Sequence, residues 1–115
     1  MKRAVLILIA FCSVYMYSQN TEPTFEKEGK MVKATYFHDN GEIAQVGYML
    51  KGKLHGKWTM FNAEGTKIAS GKYIDGAKQG TWYFYEGDKV KEVEFVANKI
   101  AAVRDWNASD GITVN

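Results

Sequence analysis

The side chains that could perform acid–base, metal or nucleophilic chemistry are few and scattered in this chain. The histidines are His38 and His55, and the single cysteine is Cys12. Neither histidine has a second histidine or a cysteine at the spacing of a zinc site. Ser70 lacks the Gly-x-Ser-x-Gly context of a hydrolase nucleophile. The sequence therefore predicts a protein that is not an enzyme, with no catalytic residue, no metal site and no cofactor.

Glycines and aromatic residues instead recur with a period of 24 residues. The recurring pairs are Gly41/Gly65, Gly47/Gly71, Gly52/Gly76, Gly56/Gly80 and Trp58/Trp82. Such a period indicates a small unit that cannot bury its own apolar face and stacks on its copies. His55 occupies the position of Gln79 in the next copy, which favours a structural turn role over a catalytic or metal-binding role.

Weaker copies flank these two units. Residues 90–98 match 68–76 at an offset of 22, with Asn98 in place of Gly76 and Val93 in place of Gly71. Asparagine is the residue that best replaces glycine where the backbone is left-handed. Upstream, residues 34–37 match 58–61 without the tryptophan. Degenerate terminal copies are typical of capping repeats.

The elements that would carry these residues are short strands. Runs rich in aromatic and β-branched residues alternate with turns that contain glycine, asparagine or aspartate, which is the pattern of consecutive hairpins. Strands are predicted near 32–38, 43–50, 57–61, 67–74, 81–86, 89–96 and 100–105. The predicted fold is all-β: an antiparallel meander of consecutive β-hairpin repeats that forms one elongated, twisted sheet.

The repeated glycines have two predicted roles. Gly52 and Gly76 fall in short turns, where a positive φ is expected. Gly47 and Gly71 fall inside strands, where glycine is unfavourable unless a large ring lies over the bare backbone, as in aromatic rescue. The residues assigned to repeat structure are Gly47, Gly52, Gly56, Gly71, Gly76 and Gly80.

The pattern Gly-x-Tyr-x-x-Gly-x-x-x-Gly-x-Trp over residues 71–82 resembles the variant MORN repeat, which includes bacterial proteins labelled antitoxin-like. Residues 47–58 match it except that Met49 replaces the aromatic residue, and the resemblance extends over roughly 32–98. It implies hairpins stacked into an elongated sheet and a role in interaction or assembly, and some such repeats are proposed to contact phospholipid. No catalytic residue comes with the resemblance.

Three surfaces are candidates for binding. The first is aromatic, and its candidate binding residues are Trp58, Phe61, Tyr73, Trp82, Tyr83 and Tyr85. Most of this set is expected to form the core of the sheet, which leaves the exposed remainder to recruit a protein or a glycan. The second is the lysine group 51, 53 and 57 near His55, which could meet phospholipid headgroups. A solvated turn is the preferred explanation, because a formally neutral mature chain has no broad positive field. The third is a sheet edge, with the charges at 89–94 protecting it.

Residues 1–18 have the layout of a secretory signal peptide: a basic start, an apolar run over 4–14 and a more polar exit. Cleavage is predicted near Ser18. Retention of the segment as an anchor and lipidation of Cys12 remain the alternatives. The full chain carries 15 basic and 13 acidic residues, and cleavage would remove Lys2 and Arg3. The mature chain would then be formally neutral, which argues against nucleic-acid binding.

The predicted organisation is a signal peptide (1–18), a flexible segment (19–31), the repeat domain (32–106) and a tail (107–115). The predicted location is the periplasm, the outer membrane or the exterior. The predicted function is protein interaction or scaffolding. An antitoxin or immunity-like partner of a toxin, and a peripheral phospholipid-binding scaffold, are the alternatives.

Overall fold

The structure is a computed structural model and describes residues 21–107. Its strands are β1 (Thr24–Glu28), β2 (Met31–Phe37), β3 (Ile43–Leu50), β4 (Lys53–Phe61), β5 (Lys67–Ile74), β6 (Ala77–Glu86), β7 (Lys89–Val96) and β8 (Lys99–Asn107). All neighbours are antiparallel and pair in sequence order, so one open sheet has β1 and β8 at its edges. The predicted all-β hairpin meander is confirmed. Over the described range there is no helix that could cross a membrane.

The strands begin earlier than the sequence predicts. Part of the segment predicted to be flexible forms β1, which pairs with β2 from Thr24 opposite Thr35 to Glu28 opposite Met31. The ring of Phe25 packs edge-on against Tyr36 at 6.2 Å, which gives this charged strand an apolar contact with the sheet. The proposed signal peptide and residues 108–115 lie outside the described part of the chain.

Two-residue turns explain why β4 and β6 start earlier than the sequence predicts. Asp75 and Gly76 have φ values of 48° and 87°, so both central residues of this turn are left-handed, as in a type I′ hairpin. The same pattern recurs at 51–52 and at 97–98. The predicted turn role of Gly52 and Gly76 is confirmed, and Asn98 takes the left-handed backbone in the last copy with a φ of 71°.

The pairing register shifts within the repeats. Gly56 and Gly80 lie inside β4 and β6 with φ values of 86° and 77°, and the register of each strand with its predecessor shifts close to them. A left-handed residue within a strand is typical of a β-bulge, which adds residues to one strand and increases the local twist. The strands therefore continue through positions at which the sequence predicts them to start.

The core of this single sheet is a stack of side chains on one of its sides, which we call the stacked face. The aromatic rings that follow one another along it, with neighbouring ring centres 5.1 to 6.3 Å apart, belong to Phe25, Tyr36, Trp58, Tyr73, Trp82, Phe84 and Phe95. Edge-to-face and tilted ring pairs contribute about 0.5–1.5 kcal/mol each beyond burial. The stack connects strands β1 to β7.

The predicted pairing of tryptophan rings with strand glycines is confirmed. Gly47 and Trp58 are opposite one another in the register of β3 and β4. A Cβ atom added to Gly47 would lie 2.1 Å from Cδ2 of the Trp58 ring, a distance that no real side chain can occupy. The Trp58 Nε1–H donates a hydrogen bond to the carbonyl of Tyr48 at 2.9 Å. The ring therefore replaces the missing side chain and satisfies a backbone carbonyl beside the bulge.

Candidate interaction face

Three of the predicted binding residues belong to the stacked face. Trp58 is 2 % exposed, Tyr73 is 9 % exposed and Trp82 is fully buried. Burial also raises the pKa of the Tyr73 hydroxyl, because the protein interior disfavours the tyrosinate. Solvent hardly reaches these side chains, so their main contribution is to hold neighbouring hairpins together.

The other three predicted binding residues lie on the opposite side of the sheet, which we call the open face. Strand alternation places Tyr83 and Tyr85 there, because Trp82 and Phe84 point to the stacked face. Phe61, Tyr83 and Tyr85 are all partly exposed. The structure therefore divides the predicted aromatic set equally between the core and a surface that solvent reaches.

Polar contacts hold part of this open face in place. The hydroxyl of Tyr85 lies 3.5 Å from Ser70 Oγ, and Ser70 is only 3 % exposed. The ammonium group of Lys67 lies 5.9 Å from the centre of the Tyr85 ring, within the range of a cation–π interaction. Tyr85 thus combines an ordered position with partial exposure, a combination that suits an aromatic anchor for a partner.

Trp106 also belongs to the open face, although it lies outside the repeat pattern and is absent from the predicted site. It is opposite Val90, which is opposite Tyr85 on the next strand, so the three side chains form one row across β6, β7 and β8. Its Nε1–H donates to Glu92 Oε2 at 3.1 Å. The alternation of β8 is the only sequence signal for this placement, and it depends on the register with β7.

A cleft of about 660 Å³ adjoins this row at the end of the sheet. The residues that line it are Phe84, Tyr85, Glu86, Lys89, Lys91, Asp105, Trp106 and Asn107. Aromatic side chains and charges of both signs therefore meet at the ends of β6 and β8. Such a mixture is common in protein interfaces, where aromatic residues are enriched and charged residues form the rim.

His55 makes a structural contact with the turn between β5 and β6. Its Nδ1 accepts a hydrogen bond from the Asp75 backbone N–H at 3.3 Å. In the next copy Gln79 Oε1 accepts from the Ala97 N–H at 2.9 Å, so the same turn contact is made by a different residue type. The Asp75 carboxylate is also 3.7 Å from Nδ1. We favour the backbone hydrogen bond over an ion pair, because an uncharged glutamine reproduces it and an accepting Nδ1 carries no proton.

His38 is likewise used within the fold. Its Nε2 lies 2.8 Å from the carbonyl of Phe61, to which it donates a hydrogen bond, and this contact joins two successive turns of the repeat. Within residues 21–107, no group of three or more histidine, cysteine, aspartate or glutamate residues could hold a metal ion. The described histidines therefore support the packing of turns.

The other two candidate surfaces have different outcomes. The lysine group 51, 53 and 57 is exposed at the β3–β4 turn and along β4. The prediction that the charges at 89–94 protect an edge is wrong, because these residues lie on β7 and β8 pairs with them. The edges of the sheet are β1 and β8, since the last hairpin extends the sheet beyond the recognisable repeat.

Comparison with known proteins gave no relative from which a function could be transferred. No family model matches the chain, and no curated protein matches it.

Proposed function

We propose that this protein is a non-enzymatic repeat protein that binds a protein partner through its open face and acts as an interaction or scaffolding module. The observation that carries the proposal is the division of the aromatic residues between the two faces. On the stacked face the rings of Trp58, Tyr73, Trp82 and Phe95 are buried. On the other side Phe61, Tyr83, Tyr85 and Trp106 all stay partly exposed. Tyrosine and tryptophan at such positions are the residue types that dominate binding energy in protein interfaces.

The form of the sheet supports the same proposal. A single layer has no second layer to cover its open face, and the repeat adds aromatic groups to that face in successive hairpins. Repeat proteins use extended surfaces of this kind for binding. We include membership of the variant MORN-repeat family in the proposal, on the basis of the glycine and tryptophan spacing, together with export directed by residues 1–18.

Site-specific photo-crosslinking tests the binding surface. A photoreactive phenylalanine analogue at Tyr83 on the open face is compared with the same analogue at Tyr36 on the stacked face, in cells that make the protein. We expect a discrete protein adduct from position 83 that is absent from position 36. Absence of any adduct at position 83, or identical adducts from both positions, would contradict the proposal.

Localisation and intact mass test the exported state separately. We expect a species that begins near Gln19 in the envelope or the culture medium. A cytoplasmic species that keeps residues 1–18 would contradict export and favour the toxin-partner alternative. A membrane-bound species with added lipid on Cys12 would instead indicate an anchored scaffold.

A further inference from the structure

Two lysines on the open face lie directly opposite one another without an opposite charge between them. Lys57 of β4 and Lys72 of β5 are Cα partners in the strand register. Neither has an ion-pair partner among the described residues. Like charges directly opposite across two strands destabilise a sheet. An anion bound beside this lysine pair would offset the repulsion.

A cleft of about 280 Å³ lies at this lysine pair. Its lining comprises Lys57, Ser70, Gly71, Lys72, Thr81 and Tyr83. Lys72 lies against the backbone of β6, since a Cβ atom added to Gly80 would be 3.4 Å from Lys72 Cε. The Lys72 side chain therefore reaches from β5 towards Gly80 of β6.

The donors around the cleft define the chemistry of the ligand. Each lysine ammonium offers three N–H donors, and the Tyr83 hydroxyl adds a further donor, whereas the Ser70 hydroxyl is buried against Tyr85. The Thr81 hydroxyl donates to Glu94 Oε2 at 2.6 Å, so its proton is already used and Glu94 bounds the cleft on that side. The ligand must therefore lie towards the lysines and accept several hydrogen bonds.

We propose that the cleft between Lys57 and Lys72 binds a phosphate group. A phosphate monoester carries about −1.5 to −2 charges at neutral pH and has three strong acceptor oxygens, which matches two ammonium groups and one neighbouring hydroxyl. A carboxylate would neutralise only one of the two lysines. The cleft shares Tyr83 with the proposed protein-binding face but excludes Tyr85 and Trp106, and phosphate binding is tested without a protein partner.

Titration of the isotopically labelled protein with inorganic phosphate, followed by NMR, tests the site. We expect saturable shifts of the backbone signals of Ser70, Gly71 and Thr81, and no saturable shift with chloride or acetate at equal ionic strength. Lys72→Gln should weaken phosphate binding about tenfold or more, which is the effect of losing one charge-assisted hydrogen bond. Lys57→Gln should have a similar effect.

Lys53→Gln is the matched control, because it removes the same charge from β4 at a position that does not line the cleft. It should change phosphate binding by less than about twofold, as expected for a distant exposed charge. Equal weakening by Lys53→Gln and Lys72→Gln, or equal shifts with chloride, would overturn the proposal. Thermal melting verifies folding, since removing one of two opposed lysines should leave the melting temperature unchanged or raised.

Two further probes distinguish the source of the phosphate. Glycerol phosphate represents a soluble monoester, and vesicles that contain phosphatidic acid represent a lipid headgroup. A probe that binds the parent protein, is displaced by inorganic phosphate and fails to bind Lys72→Gln supports the site. The probe that behaves in this way identifies the source of the phosphate. Failure of inorganic phosphate to bind and to compete with both probes overturns the site, whatever the outcome of the crosslinking at Tyr83.

Discussion

The indole ring of Trp82 occupies the space in which a side chain at Gly71 would begin. A Cβ atom added to Gly71 would lie 2.0 Å from Cδ2 of the ring. The ring is fully buried, and its Nε1–H donates to the carbonyl of Lys72 at 3.0 Å. One residue thus fills the gap left by a glycine and satisfies a carbonyl near the register shift. The same arrangement joins Trp58 to Gly47, so it is the unit that the repeat reproduces.

Gly71→Ala should destabilise the protein strongly, because the added methyl group would overlap a buried ring. Overpacking of this kind costs about 1–3 kcal/mol and occasionally more. The urea midpoint of unfolding measures the effect. Lys72→Thr, an exposed change to a good strand former on the same strand, is the control and should stay within about 0.5 kcal/mol of the parent protein.

A double-mutant cycle separates overlap with the ring from a general intolerance of alanine. Trp82→Ala alone should cost about 3–5 kcal/mol, as is typical for a buried tryptophan. In that background Gly71→Ala should cost much less than it does alone, because the ring is gone. Strictly additive costs would show that the contact between Gly71 and Trp82 does not explain the glycine.

His55→Gln should preserve stability, because Gln79 makes the equivalent hydrogen bond in the next copy. His55→Ala should lose about 0.5–1.5 kcal/mol, the net value of one hydrogen bond. Both variants are compared by urea unfolding at neutral pH. If glutamine destabilised as much as alanine, the turn contact to Asp75 could not be the role of His55.

Gly76→Asn should be tolerated better than Gly76→Ala. The backbone of Gly76 is left-handed with a φ of 87°, and nothing lies within 4 Å of an added Cβ atom, so conformation alone decides the outcome. Alanine in this region costs about 1–2 kcal/mol, and asparagine adopts it more readily. Asn98→Gly in the last copy should cost about 0.5–1.5 kcal/mol, because Asn98 Oδ1 accepts a hydrogen bond from the Lys78 backbone N–H at 2.7 Å. Equal melting temperatures for Gly76→Asn and Gly76→Ala would contradict this explanation.

Tyr73→Phe should reduce the loss of stability at alkaline pH. Burial raises the Tyr73 pKa above its ordinary value of 10.0, so from that pH upward the unfolded chain releases this proton while the folded chain retains it. The unfolded state then binds fewer protons, and stability falls as pH rises from about 10 through the higher folded pKa. Phenylalanine removes this contribution. Unfolding curves measured between pH 8 and about 11 should show a shallower decline in the stability of the variant than in that of the parent protein. Parallel declines in the two proteins would contradict this role of Tyr73.

Much of the local structure follows from residue types alone. Asp75-Gly76 specifies a tight turn because glycine accepts a positive φ without a steric cost. Aromatic and β-branched runs specify the strands, and the recurrence of Gly71 with Trp82 specifies the ring that covers the glycine. These properties depend on a residue and its near neighbours, and for that reason they can be predicted before the fold is known.

The composition of the faces depended on tertiary structure, because strand register is a property of two paired strands and a bulge changes it. Alternation shows that Trp82 and Tyr83 lie on opposite sides, but only the pairing of β4 to β7 determines which side stacks into a core. The same pairing places Trp106 beside Val90 and sets Lys57 opposite Lys72. The sequence also does not predict β1, because its charged residues carry little strand signal. The contact between Phe25 and Tyr36, which attaches β1 to the sheet, exists only after β2 is in place.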